Sequence, residues 1–127
     1  MKKELLPPLL VLALLLAFSL WNGAAVSAHT ARWTHQLERC AAEAEARRWE
    51  DAETALAQSY EDWQSRQVYL HIVLEHDAVD DAGAMYRRAM AFAHQREPSE
   101  FQAELADLMD QLRLLAEMEQ FSIKNVL

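Results

Sequence analysis

The chain has 127 residues, 52% of them hydrophobic and 25% charged, with a net charge of −8. Lys2, Lys3 and Glu4 aside, 10 basic and 19 acidic residues give the remainder −9, which argues against nucleic acid and anionic lipid as ligands, since positive charge binds both. A single cysteine excludes an internal disulfide, and two glycines with three prolines are too few for the turns of a β protein.

The chain opens on Met1-Lys2-Lys3, followed by an apolar run from Leu5 to Trp21 and a small, weakly polar stretch, Asn22 to Ala28. This order marks a segment sent to a membrane. Leu5 to Val26 is 22 residues, within the about 17–25 needed to span a bilayer. Pro7-Pro8 falls near its start, where a helix tolerates proline, and Trp21 falls where an outer aromatic belt would lie. Lys2 and Lys3 would hold the start inside, leaving the rest extracytoplasmic. We favour a retained anchor over residues 1–28, with the membrane crossed by residues 5–26. The alternative is a signal peptide cut at Ala28-His29 after the small-x-small run Val26-Ser27-Ala28, with a secreted product. The residues before Cys40, Leu37-Glu38-Arg39, are too large for a lipid-attachment site.

Residues 29–127 suffice for one extracytoplasmic domain. Its composition predicts an all-α fold, the N-terminal apolar helix followed by a small antiparallel bundle of three to four helices. Apolar residues recur at steps of three and four. They run through Trp33, Leu37, Cys40 and Ala44; Trp49, Ala52, Leu56 and Trp63, with Ser59 on the same stripe between the last two; Val79, Ala82, Tyr86, Ala89 and Ala93; and Phe101, Leu105, Leu108, Leu112 and Leu115. These stripes predict helices over 30–47, 50–66, 78–95 and 100–120, the second reaching 75 unless Ser65-Arg66-Gln67 bends the chain. Arg47-Arg48 would end the first helix and Glu50-Asp51 begin the next. Asp77 is read as a helix N-cap, and Ser99 with Gln102 as a capping box. Cys40 is read as a small buried hydrophobe or, failing that, as the link of a homo-oligomer.

Two places offer sites. His71, Glu75, His76 and Asp80 carry imidazoles and carboxylates at helical spacing, a set able to hold zinc. No H-E-x-x-H motif is present, so a plain helix junction is the competing reading. The tail, with Phe121, Ile123, Asn125, Val126 and Leu127, is apolar for an end and would dock on the bundle or on a partner. Trp33, Trp49, Tyr60 and Trp63 read as core before they read as a ligand groove. No nucleophile with a base, phosphate loop or cysteine pair appears, so the chain is not read as an enzyme and no cofactor is expected.

The opening Lys-Lys, Pro-Pro and apolar helix, then Trp49 with Ala52 and Leu56, Trp63, His76-Asp77 with Asp80, and the ending Phe121-Ser122-Ile123-Lys124-Asn125-Val126-Leu127 form one set of landmarks. Together they resemble a family of short, membrane-anchored helical proteins of clostridia and related Gram-positive bacteria, a domain of unknown function that ends Ser-x-x-Asn-Ile-Leu. The resemblance implies a single retained N-terminal span, with His76, Asp80 and Asn125 as its polar landmarks, and brings no activity. Ala24 to Ala28 makes a better cleavage site than the family pattern. The expectation is a membrane-anchored interaction module that binds another membrane or envelope protein, with a metal- or small-ligand sensor as the alternative.

Overall fold

In a computed structural model that describes the backbone of residues 2–126 and the side chains of residues 3–121, five helices follow one another. They are α1 (Lys2–Glu45), α2 (Trp49–Gln64), α3 (Gln67–Val73), α4 (His76–Gln95) and α5 (Pro98–Val126). The all-α expectation holds.

α1 is one helix of 44 residues, so at 1.5 Å per residue it is about 66 Å long. No break occurs at residue 28. The apolar run and the first bundle helix, read separately from sequence, are one element. Its two halves differ in what surrounds them. Leu5 to Trp21 presents nearly all of its large apolar side chains bare, and α1 is long and apolar enough to cross a membrane. From Asn22 onward one stripe turns inward: Asn22, Val26, Thr30, Trp33, Leu37, Cys40 and Ala44 are buried at steps of four, four, three, four, three and four. That repeat is the seam of a helix packed along its neighbours. α5 answers it with Phe101, Leu105, Leu108, Leu112, Leu115 and Glu119.

α1 packs on α2 and α5, and α4 packs on α5 and α2, so these four helices form the bundle. Gln102 Nε2 donates to the Ala41 carbonyl at 3.0 Å and Gln120 Nε2 to Ser27 Oγ at 3.4 Å, which fixes α5 antiparallel to α1. Gln111 Nε2 reaches the Ala78 carbonyl of α4 at 3.0 Å. Inside, Tyr60, Trp63 and Tyr86 stack with centroids 5.4–6.3 Å apart, and Ser59 shares a buried hydrogen bond of 2.9 Å with the Tyr86 hydroxyl. Gly83 lies under the Trp63 ring, where an added Cβ would sit 3.0 Å from it. Of the aromatic set, Trp33 and Trp63 are core, as their spacing suggested, and Trp49 and Tyr60 pack half-buried against it.

Several local expectations need correction. Asp77 does not cap α4. The helix begins at His76, two residues before the expected start, after extended Glu75 (ψ 131°), so Asp77 lies in the first turn and acts there through its charge. The Ser99–Gln102 capping box is not made. Pro98 takes the first helical position, which its fixed φ suits, so Ser99 falls inside the helix and Gln102 turns to α1. The bend expected at Ser65-Arg66-Gln67, by contrast, is present: Ser65 stays in the αR region with its Oγ donating to the Asp62 carbonyl at 2.6 Å, and Arg66 (φ −109°, ψ 12°) leaves the helical path, which separates α2 from α3.

α1 and α4 end alike. Arg47 (φ 63°) and Arg96 (φ 56°) adopt the left-handed conformation, and the next amide in each case reaches back five residues, Arg48 to Glu43 and Glu97 to Phe92. This is the Schellman ending, which glycine favours. With arginine there, each turn carries the cost of a Cβ in the left-handed region. Arg96→Gly is therefore expected to raise stability by about 0.5–1 kcal/mol in urea denaturation.

Candidate functional site

The end of the bundle where the bare apolar stretch of α1 begins carries most of the unusual chemistry. α2 turns into α3 beside it. Asp62, in the last turns of α2, takes bonds from Arg32 Nη2 at 2.7 Å, Arg32 Nε at 2.9 Å and Trp33 Nε1 at 2.8 Å. Burial alone would raise this carboxyl. The bonds from Arg32 and Trp33, with the Arg32 and Arg66 charges, outweigh it and hold Asp62 below the usual carboxylate range. The bundle gains stability from it above the unfolded range of about 3.9 and loses that gain as pH falls through the lower folded value. Sequence inspection missed this knot, because Arg32 and Asp62 are joined only by the packing of α1 on α2.

α3 is a short connector with two faces. Leu70 and Leu74 are buried, while Val68 and Ile72, one turn apart on the opposite side, are 78% and 76% exposed. The Tyr69 hydroxyl donates to Asn22 Oδ1 at 2.8 Å, tying α3 to the first buried residue of α1. Asn22, a soft spot in the apolar run by sequence, is thus a buried hydrogen-bond acceptor. Glu119 of α5 is nearly enclosed, and burial raises its carboxyl; burial, then the nearby Glu119, likewise raises the Tyr69 hydroxyl. A raised carboxyl favours the fold below the unfolded range of about 4.3 and ceases to do so as pH rises through the folded value. Glu119→Gln should therefore be more stable than wild type at pH 7 and equal to it at pH 3 in thermal melts.

His71, His76 and Asp80 come together at the α3–α4 junction. His71 Nε2 lies 3.1 Å from Asp80 Oδ1 and His76 Nε2 lies 3.2 Å from Asp80 Oδ2. The imidazole rings are tilted, with centroids 4.6 Å apart, and one ligand atom from each of the three residues falls within 4.8 Å of the others. His71 Nδ1 also lies 2.9 Å from the Gln67 carbonyl. The Asp80 bond first, then the Gln67 carbonyl, raise the His71 imidazole above its ordinary value. Glu75, the fourth residue singled out from sequence, precedes α4 in extended backbone and is not part of this group.

In the tail, Phe121 is 65% exposed at the end of α5 that lies level with Ser27. The backbone continues as helix to Val126. The side chains of Ile123, Asn125 and Val126, and Leu127 as a whole, lie outside the described residues. Cys40 is enclosed on α1, and burial pushes its thiol up to about 12. An intermolecular disulfide there would need α1 to part from the core, and little thiolate exists to form it. Along the outer seam of α1 and α5 runs a groove of about 610 Å³, lined by small side chains such as Ser27, Ala31, Thr34, Ala106 and Ala116 and by the larger His35, Glu38, Met109, Asp110 and Arg113.

No curated protein and no solved structure matches the chain. The pattern of one protein family does, over residues 20–126. That match starts at the last exposed residues of the apolar run and takes in Asn22, Val26 and the whole seam of α1. The unit shared across the family therefore includes the segment on both sides of Ala28-His29, and the chain belongs to the Domain of unknown function (DUF4363) family.

Proposed function

We propose that this protein is an extracytoplasmic helical interaction module, held at the cell membrane by an anchor that is not removed. The carrying observation is α1 itself: exposed and apolar from Leu5 to Trp21, then buried in the bundle from Asn22 without a break. The bundle therefore stands on its anchor with no flexible linker. The residues around the candidate cleavage site support retention. Val26 is enclosed in the core, and Ser27-Ala28 are helical, whereas a peptidase needs its substrate exposed and extended. Val68, Ile72 and Phe121, exposed at the same end, are suited to rest at the lipid headgroups.

The partner we favour is another membrane protein. The α1–α5 groove begins at Ser27, just above the apolar stretch; its small side chains leave room for a second helix leaving the bilayer, and Glu38, Asp110 and Arg113 along it offer that helix polar partners. A photo-crosslinker at Ala31, on that groove, tests this in native membranes against a control at Asp51 on the opposite end of the bundle. Capture of one integral membrane protein at Ala31 alone, identified by its peptides, agrees with the reading. Equal labelling at both positions, or capture of lipid only, contradicts it.

A further inference from the structure

We propose that His71, His76 and Asp80 form a three-ligand site for zinc or a similar borderline divalent transition ion at the α3–α4 junction. The inference is independent of whether the anchor is retained.

In a tetrahedral zinc site with bonds of about 2.0–2.2 Å, neighbouring ligand atoms stand roughly 3.3 Å apart. One such edge is nearly in place: His71 Nε2 stands 3.1 Å from Asp80 Oδ1, and His76 Nε2 stands 3.2 Å from the other oxygen, Oδ2, so binding through a single oxygen needs only a turn of the carboxylate between the two imidazoles. The remaining edges lie within 4.8 Å and close by rotation of the exposed His76 and Asp80 side chains toward the half-buried His71. His71 is set for the task by a partner outside the triad. Its Nδ1–H donates to the Gln67 carbonyl at 2.9 Å, which in the neutral ring leaves the lone pair on Nε2, the atom that faces Asp80. Metal-binding histidines are commonly oriented by this kind of second bond.

The donor set selects the ion. Two imidazoles with one carboxylate suit zinc, cobalt, nickel or copper, whereas magnesium and calcium prefer oxygen alone. Asp77 and Asp81, neighbours on the same helix, add negative charge that draws a cation. Three protein ligands leave one position for water, so the site is open. Its location gives the binding a structural consequence. His71 belongs to α3, while His76 and Asp80 belong to α4, and the link between them is extended at Leu74 and Glu75. A bound ion would clamp α3, with its exposed Val68 and Ile72, onto the bundle.

The test is calorimetric titration of zinc into the full chain in detergent micelles, beside His76→Ala, Asp80→Asn and Glu75→Gln. His76 and Asp80 are exposed, so these variants should fold, as circular dichroism will show. The proposal expects one ion per chain, affinity weakened about tenfold or more in His76→Ala and Asp80→Asn, and no change in Glu75→Gln. Cobalt should give the intense visible absorption of a four-coordinate ion in wild type and lose it in His76→Ala. Equal zinc affinity in wild type and His76→Ala would overturn the proposal, as would absence of binding at millimolar zinc.

Discussion

Trp33→Ala should destabilise the bundle by about 3–5 kcal/mol, the range for emptying a buried aromatic site. Trp33 is the largest of the fully enclosed side chains, and its loss removes two things. The first is volume at the seam of α1, where the His29 ring stacks on it with centroids 5.7 Å apart. The second is the indole N–H bond to Asp62. Trp33→Phe separates the two, keeping most of the apolar volume while withdrawing a donor from an ionised carboxylate, a loss of roughly 1.5–3 kcal/mol. Trp63 supplies the comparison. It too is buried, but its indole nitrogen has no hydrogen-bond partner among the described residues. Urea denaturation at pH 7 should therefore find Trp33→Phe clearly more damaging than Trp63→Phe. The gap should shrink as pH falls and Asp62 is protonated. Equal effects at both pH values would mean that the Asp62 knot contributes nothing.

The second large effect concerns the opening segment. A chain that starts at His29 should be about 3 kcal/mol less stable than one that starts at Trp21. Burial of Val26 contributes roughly 1.5–3 kcal/mol, and the Asn22–Tyr69 bond about 1 kcal/mol more. Both chains lack the exposed run Leu5–Leu20, so the comparison isolates the seam from the anchor. The shorter chain should also exchange the amides of α3 faster, since Tyr69 loses the acceptor that ties α3 to α1. Equal stability of the two would show that residues 21–28 are dispensable to the fold.

How much of this could be read in the sequence divides along physical lines. The heptad-like stripes of α1, α2, α4 and α5 were legible because each helix buries one continuous face, and burial imposes its period on the residues. The end of α1 was legible in Arg47-Arg48, although the left-handed conformation of Arg47 was not, since glycine is the usual sign of it. Helix starts were read less well. Asp77 and Ser99 have the right side chains for caps, but extended Glu75 and Pro98 set the boundaries, and a cap is defined by backbone conformation that a single residue type does not dictate. The continuity of α1 was hidden by composition: Asn22 to Ala28 is small and weakly polar, as at a cleavage site, and equally as on the face of a helix that others approach closely. Of the candidate metal ligands, spacing grouped four, and the fold brings together three, because Glu75 lies in the extended link. The contacts that sequence could not give, Arg32 and Trp33 with Asp62, Tyr69 with Asn22, and Ser59 with Tyr86, all join residues about 30 or more positions apart or in different helices.

The central claim is that anchor and bundle are one retained helix. Its most direct test is mass spectrometry of peptides from the protein isolated from its native membranes. The account predicts that a peptide containing the intact Ala28–His29 bond is recovered from the membrane fraction. A mature chain beginning at His29, found free of the membrane, would contradict it.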